Sequence, residues 1–238
     1  MAKTGQLHLI PVGLSDADPA GWLPPLVRQT AARLTTYIAE NAKTARAFLK
    51  QIGTDHAIQD ITIHTLGRRT STTEIRQWLQ PLKVGEHIGL VSEAGCPAVA
   101  DPGAVVVGLA HQLGYQVVPH VGPSSILMGL MASGLNGQQF VFHGYAPVEP
   151  QARAQQLKSW ETQSRKLNQT QILIETPYRN EAMFRTLTGS LHGHTRLCVA
   201  RAVTGQDEWI MTQSVQAWQS GRPPKLARIP TLFLYLAD

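Results

Sequence analysis

The chain has 238 residues, 43% of them hydrophobic, enough to bury a substantial core in one large domain or two small ones, and nothing in its composition suggests disorder. Its two cysteines, Cys96 and Cys198, lie far apart without Cys-x-x-Cys spacing, so neither a disulfide framework nor a zinc site is implied. The formal net charge of +5 fits an anionic partner such as RNA, but a mildly basic metabolic enzyme would carry the same balance. No apolar run approaches the roughly 18 residues of a membrane span, and the N-terminus leads into a strand without a signal-peptide core, so a cytoplasmic location is expected.

In chain order, residues 7–11 form an apolar strand ending in P-V-G, and residues 35–39 a second ending in Glu40. Residues 41–52 read as a helix: Ala45, Phe48, Leu49 and Ile52 fall at i, i+3, i+4 and i+7, with Lys43, Arg46 and Lys50 on a different face. Strands at 61–66, 87–92 and 116–121 complete five, alternating with helical stretches, the signature of a parallel sheet covered on both faces. After Ser124 the pattern changes. A short apolar helix over 125–133 precedes strands beginning at Phe140 and then at 171–175, 196–201, 208–212 and 231–236, with a polar helix over 150–169. The short gap after Arg201 suits an antiparallel hairpin, so the second half should carry a mixed sheet. The expected organisation is an α/β domain with a parallel sheet over 1–122 and a mixed-sheet α/β domain over 123–238.

Two loops stand out. Residues 92–103 read S-E-A-G-C-P-A-V-A-D-P-G, and residues 121–125 read V-G-P-S-S. Both follow apolar strands, and in an open α/β sheet the loops at the carboxyl ends of strands hold ligands. Gly95 and Gly122 allow backbone amides to approach a ligand, while Pro97, Pro102 and Pro123 stiffen the turns. There is no G-x-G-x-x-G, P-loop, H-E-x-x-H or G-x-S-x-G, which removes the usual dinucleotide, nucleoside-triphosphate, zinc-protease and hydrolase readings.

The pair of loops, in this order and spacing, resembles the tetrapyrrole-methylase superfamily of S-adenosylmethionine (SAM) methyltransferases, within it the ribosomal small-subunit methyltransferase I type, which 2′-O-methylates a cytidine of 16S rRNA. The resemblance implies a two-domain fold with the cofactor cleft between the domains, and a homodimer. It also implies SAM contacts at Pro11, Val12 and Gly13, at Gly95, Cys96 and Val99, and at Ser124 and Ser125. In the second half the implied contacts are Glu175, Thr176, Arg201, Ala202, Val203, Pro230 and Thr231. The run E-T-P-Y-R at 175–179 resembles the E-S-P-x-R motif, and A-E-N-A-K at 39–43 resembles A-E-D-T-R with the acid Glu40 retained. R-I-P-T-L at 228–232 stands where the ribosomal enzymes carry K-G-E-x-V and is nearer the cobalamin and sirohaem branches.

Methyl transfer from a sulfonium needs alignment, desolvation and removal of one proton from the acceptor. Glu40 is the first candidate base and His143 the second. Simpler roles stand beside these: helix capping for Ser124 and Ser125, an ion pair for Glu175 with Arg179, a hydrogen-bonded strand-end histidine for His143, an exposed loop for His192 and His194, and core for Cys198. The basic stripe of Lys43, Arg46 and Lys50 is the candidate RNA contact. Three readings remain: an rRNA methyltransferase, a methylase of a tetrapyrrole or other small metabolite, and a SAM- or RNA-binding protein without turnover.

Overall fold

The structure is a computed structural model that describes residues 4–238. The chain divides into two compact units, the first ending at Ser124 and the second opening at Ser125.

The first unit is built on five parallel strands, β1 (Gln6–Leu9), β2 (Thr36–Ala39), β3 (Thr62–Thr65), β4 (Ile88–Val91) and β5 (Gln116–Pro119), in the order β3-β2-β4-β1-β5. Helices α1 (Pro25–Arg33) and α2 (Ala42–Ile52) cover one face, where Val27, Ala31, Phe48 and Leu49 pack on Ile10, Tyr37 and Val91. The other face is covered by α3 (Thr72–Trp78) and α4 (Gly103–Gln112), which set Ile75, Val106 and Leu109 on Leu7, Ile38 and Leu90. The central strands β2 and β4 contribute to both cores, Tyr37, Ala39 and Val91 to one and Ile38, Ile88 and Leu90 to the other, so these two read as continuous apolar runs. Leu49 and Ile52 are buried while Lys43, Arg46 and Lys50 are exposed, as the helical spacing requires. Strand ends fall one or two residues inside several expected limits, because the terminal residues have already turned into loops.

The second unit carries the mixed sheet. Its strands β6 (Phe140–Tyr145), β7 (Thr170–Ile174), β8 (Arg196–Arg201), β9 (Trp209–Ser214) and β10 (Thr231–Leu236) are ordered β6-β7-β10-β8-β9. Only β6 and β7 are parallel, and β8 and β9 form the expected antiparallel pair. The central strand β10 is buried along its whole length. Helices α5 (Ser125–Ser133), α6 (Pro150–Leu167), α7 (Asn180–Ser190) and α8 (Val215–Ser220) complete the unit. Leu157, Phe184, Leu187 and Trp218 pack on Leu173, Val199 and Phe233. Cys198 is fully buried in β8, and burial pushes its thiol up to about 11, the environment of a core residue. Among the described residues no helix is long and apolar enough to cross a membrane.

Candidate functional site

The connections of the first sheet concentrate loops around the carboxyl end of β4. The chain leaves β1 and β2 toward the face covered by α1 and α2, but it leaves β4 toward the face covered by α3 and α4. Because β4 lies between β1 and β2, its end is flanked on both sides by chains departing the opposite way, which opens a crevice there. The loop occupying it is residues 92–102.

That loop is fastened on the β1 side by an antiparallel bridge. The Val12 amide donates to the Gly95 carbonyl at 3.0 Å, and the Gly95 amide donates back to Val12 at 3.2 Å. Gly95 is buried with φ +73°, a conformation that a side chain would strain, and a Cβ there would meet Leu14 and the Pro123 carbonyl. The Cys96 thiol donates to the same Pro123 carbonyl at 3.4 Å, and burial raises its pKa. The structure therefore brings Pro11, Val12, Gly13, Gly95 and Cys96 together beside the 121–124 loop. Ser124 closes that loop, Ser125 is the first residue of α5, and Val99 is exposed.

On the β2 side stands Glu40, beside Glu93 and Asp101 of the 92–103 run. Burial and the charge of Asp101 raise the Glu40 pKa; the Glu93 backbone amide, donating to its carboxylate, pulls the other way, and the Glu93 charge adds to the rise. The Thr44 hydroxyl of α2 donates to Glu93 Oε1 at 2.5 Å. Asp101 spans its own loop: Oδ2 accepts from the Ala98 amide at 2.9 Å and Oδ1 from the Gly103 amide at 2.6 Å. Ala98 and Ala100 both hold positive φ, at 66° and 60°, so this carboxylate fastens a strained segment. Burial raises the Asp101 pKa against the pull of those two amides. The cap of α2 is not Glu40 but Asn41, whose side chain accepts from the Lys43 amide at 2.9 Å. Glu40 is left free of that duty. A groove of about 460 Å³ adjoins the site, lined among others by Val12, Gly13, Thr44, Phe48 and Glu93.

In the second unit the candidate residues gather at one end of the sheet. Glu175 follows β7 with a fully buried side chain, and its Oε1 accepts from the Thr176 amide (2.6 Å) and from Arg179 Nε (3.0 Å) and Nη2 (2.6 Å). Its Oε2 is buried without a partner. Asn180, which sequence reasoning passed over, donates from Nδ2 to the Ile229 carbonyl at 2.6 Å, tying the start of α7 to the approach to β10. The Ala202 amide donates to Pro230 at 2.9 Å, so Arg201, Ala202, Pro230 and Thr231 are neighbours, with Val203 buried behind them. Arg201 Nη1 donates to the Lys225 carbonyl (2.7 Å), and its buried Nε has no partner. An acidic acceptor and a guanidinium donor thus remain available here, as a polar ligand requires.

His143 is placed differently from the base role. Its ring stacks on Trp160 of α6 at 3.8 Å between centroids and its Nε2 bonds Gln171 Oε1 at 2.7 Å. Burial lowers its pKa. It is a packed, hydrogen-bonded residue of the second core. His192 and His194 lie exposed after α7.

No protein-family profile matches the chain. Ribosomal RNA small subunit methyltransferase I of Xylella fastidiosa is 29% identical over 224 residues, which cover 92% of this chain and 76% of that protein. The Synechocystis protein of the same name is 29% identical over 214 residues, covering 89% and 72%. Among solved structures, the methyltransferase CobJ superposes over 99% of this chain and 94% of its own with a TM-score of 0.61 at 15% identity. A precorrin-6Y methylase from Archaeoglobus fulgidus superposes over 100% of both chains at 0.55 and 13%. The chain is thus similar in sequence to ribosomal RNA small subunit methyltransferases I and shares its two-unit α/β fold with solved cobalamin-type methylases. These relatives and structural neighbours alike are named methyltransferases or methylases.

Proposed function

We propose that this protein transfers a methyl group from SAM to the 2′-hydroxyl of a cytidine in 16S rRNA, with Glu40 as the base. The observation that carries this reading is the position of Glu40: free of helix capping, raised in pKa, and set on the β2 side of the β4 loop, whose β1 side is bridged through Gly95 to Val12. A carboxylate lifted toward neutrality is better matched to accepting a hydroxyl proton than an ordinary one. The curated relatives carry rRNA methylation in their names.

The residues present fit the cofactor. The bridged loop offers the amides of Gly13 and Cys96, those of Val12 and Gly95 being engaged with each other, and the groove beside Val12 and Gly13 has room for part of a ligand of this size. The unpaired Glu175 Oε2 and Arg201 Nε, with Thr176, Ala202, Val203, Pro230 and Thr231 around them, offer a polar set in the second unit. Val99, Ser124 and Ser125 complete the proposed contacts. When bound, SAM supplies an electrophilic methyl on a sulfonium. The protein's part is to hold the acceptor ribose in line, to exclude water with Val12, Phe48 and Pro123, and to take the hydroxyl proton onto the Glu40 carboxylate. Glu93 and Asp101 add negative potential that favours a cationic donor. Lys43, Arg46 and Lys50 would meet RNA phosphates, and the protein would work in the cytoplasm as a homodimer.

SAM titration by calorimetry, followed by tritium-methyl transfer to 30S subunits, total RNA and uroporphyrinogen, tests the reading. Transfer to RNA alone supports it. Transfer to uroporphyrinogen, or SAM binding without any transfer, overturns it.

A further inference from the structure

The proposed acceptor poses an electrostatic difficulty that points to a second binding element. In RNA the 2′-oxygen and the 3′-phosphate sit on adjacent carbons of one ribose. A ribose brought to Glu40 therefore carries its phosphate toward Glu40, Glu93 and Asp101, three carboxylates close enough that the charges of Asp101 and Glu93 raise the Glu40 pKa. Like charges at such range cost energy that only fixed cations nearby can offset.

The fold supplies cations at that edge. Strand β3 lies beside β2, with Ala39 paired to Thr65 and the Leu66 amide donating to the Ala39 carbonyl at 2.8 Å. Glu40 is therefore level with Leu66, and the chain beyond Leu66 turns at the same end of the sheet. That turn is G-R-R-T, residues 67–70. It is closed by two hydrogen bonds, the Thr70 amide to the Gly67 carbonyl at 3.1 Å and the Gly67 amide to Thr70 Oγ1 at 2.9 Å. Directly behind it α3 begins with a complete capping box, in which Glu74 is turned back onto the Ser71 amide (2.9 Å) and hydroxyl (2.7 Å). The nearest acid in sequence is thus engaged. Arg68 and Arg69 sit at the two central positions of this pinned turn, exposed, and no described carboxylate pairs with either. Two adjacent exposed arginines on a turn held at both ends keep their charge while losing little backbone freedom on binding.

We propose that Arg68 and Arg69 form an RNA phosphate clamp that holds the backbone next to the acceptor ribose, separate from the stripe on α2. The inference rests on the RNA reading above and adds the element that makes an acid-lined site tolerate a polyanion. Arginine presents a rigid fork that matches two phosphate oxygens, which lysine does not.

The test compares the unaltered protein with R68E/R69E and R68K/R69K, using a 16S rRNA transcript for binding over a range of salt and 30S subunits for methyl transfer. Calorimetric SAM binding and thermal midpoints are measured on the same preparations. The charge reversal is expected to reduce the slope of log K against log salt by about 1–2 and to raise the KM for RNA at least about tenfold, with SAM affinity and midpoint unchanged. The lysine pair is expected to keep most of the salt slope yet raise KM. A folded R68E/R69E protein with the original slope and KM overturns the clamp while leaving the RNA reading standing. Failure of the unaltered protein to bind or methylate RNA overturns both.

Discussion

Gly122 lies directly against the ring of Pro11: a Cβ at position 122 would stand 2.2 Å from Pro11 Cβ and 2.5 Å from its Cγ. The loops leaving β1 and β5 are therefore in contact at a point where only glycine fits. Gly122→Ala is expected to separate them, costing about 1–3 kcal/mol of stability and weakening SAM binding through displacement of Pro11. Calorimetry together with chemical denaturation checks this, and an alanine variant with unchanged affinity would remove the 121–124 loop from the cofactor site.

Gly95→Ala should act by another route. At φ +73° the alanine backbone is strained by about 1–2 kcal/mol, and the Val12–Gly95 bridge bears that strain directly. The expected result is loss of SAM affinity larger than the loss of stability, read from the same two measurements. The alanine Cβ already meets Leu14 at 3.2 Å and the Pro123 carbonyl at 3.4 Å, and valine would add two methyl groups to that crowding, so alanine is the cleaner substitution.

Glu40 and Asn41 offer a paired test. Glu40→Gln keeps shape but cannot accept the proton, so turnover should fall about 10²-fold or more with SAM affinity retained. Asn41→Ala removes the cap of α2 and should cost about 1 kcal/mol of stability with turnover nearly intact. If Asn41→Ala instead abolished turnover and Glu40→Gln did not, the assignment of roles would be reversed.

The charge of Glu93 is one cause of the raised Glu40 pKa. A base works in its deprotonated form, so activity should rise with pH through that raised value. In Glu93→Gln the acidic limb of the kcat profile should move to lower pH. A limb that stays in place would assign it to a different group.

Three histidines far apart in sequence meet on β1. The Gln6 amide donates to His87 Nδ1 (3.2 Å), which therefore carries no proton; His8 Nε2 donates to the same atom (3.1 Å), and His8 Nδ1 accepts from His120 Nε2 (2.9 Å). Burial, then the nearness of His120 and His87, holds His8 down to about 4. The folded chain thus refuses a proton that the unfolded chain accepts near 6.5. Stability from this cluster is fully present above about 6.5 and is lost as pH falls toward 4. Thermal midpoints at several pH values should show the loss, and His8→Gln, which can still donate and accept, should reduce it.

Much of this architecture could be read from the chain. Five strands alternating with helices, the α2 stripe and the antiparallel β8–β9 pair all follow from local periodicity. Motif spacing likewise located the loops at 11–13, 92–103 and 121–125. Relationships between distant residues were not legible. Each of His8, His87 and His120 is an unremarkable residue in its own segment, and only the register of β1 with β4 and β5 brings them together. The cap of α2 was ambiguous because two acceptor side chains, Glu40 and Asn41, adjoin its start, and the bond from the Lys43 amide to Asn41 decides between them. Asp101 was visible in its motif, yet its hold on the Ala98 and Gly103 amides goes with left-handed backbone at Ala98 and Ala100 that alanine does not advertise. For His143 the sequence left a second-choice base beside a hydrogen-bonded structural role, and only the distant Gln171 and Trp160 decide for the latter.

Strand β5 ends in Pro119, and β6 breaks register between Phe142 and Tyr145 around Gly144, whose φ is +68°. Both strands lie at the edge of a sheet. Proline has no amide proton to donate and a bulge twists its strand out of plane, so a nascent or partly unfolded neighbour finds no long, flat template on either edge. In a crowded cell, that limits aggregation by strand addition at these two borders.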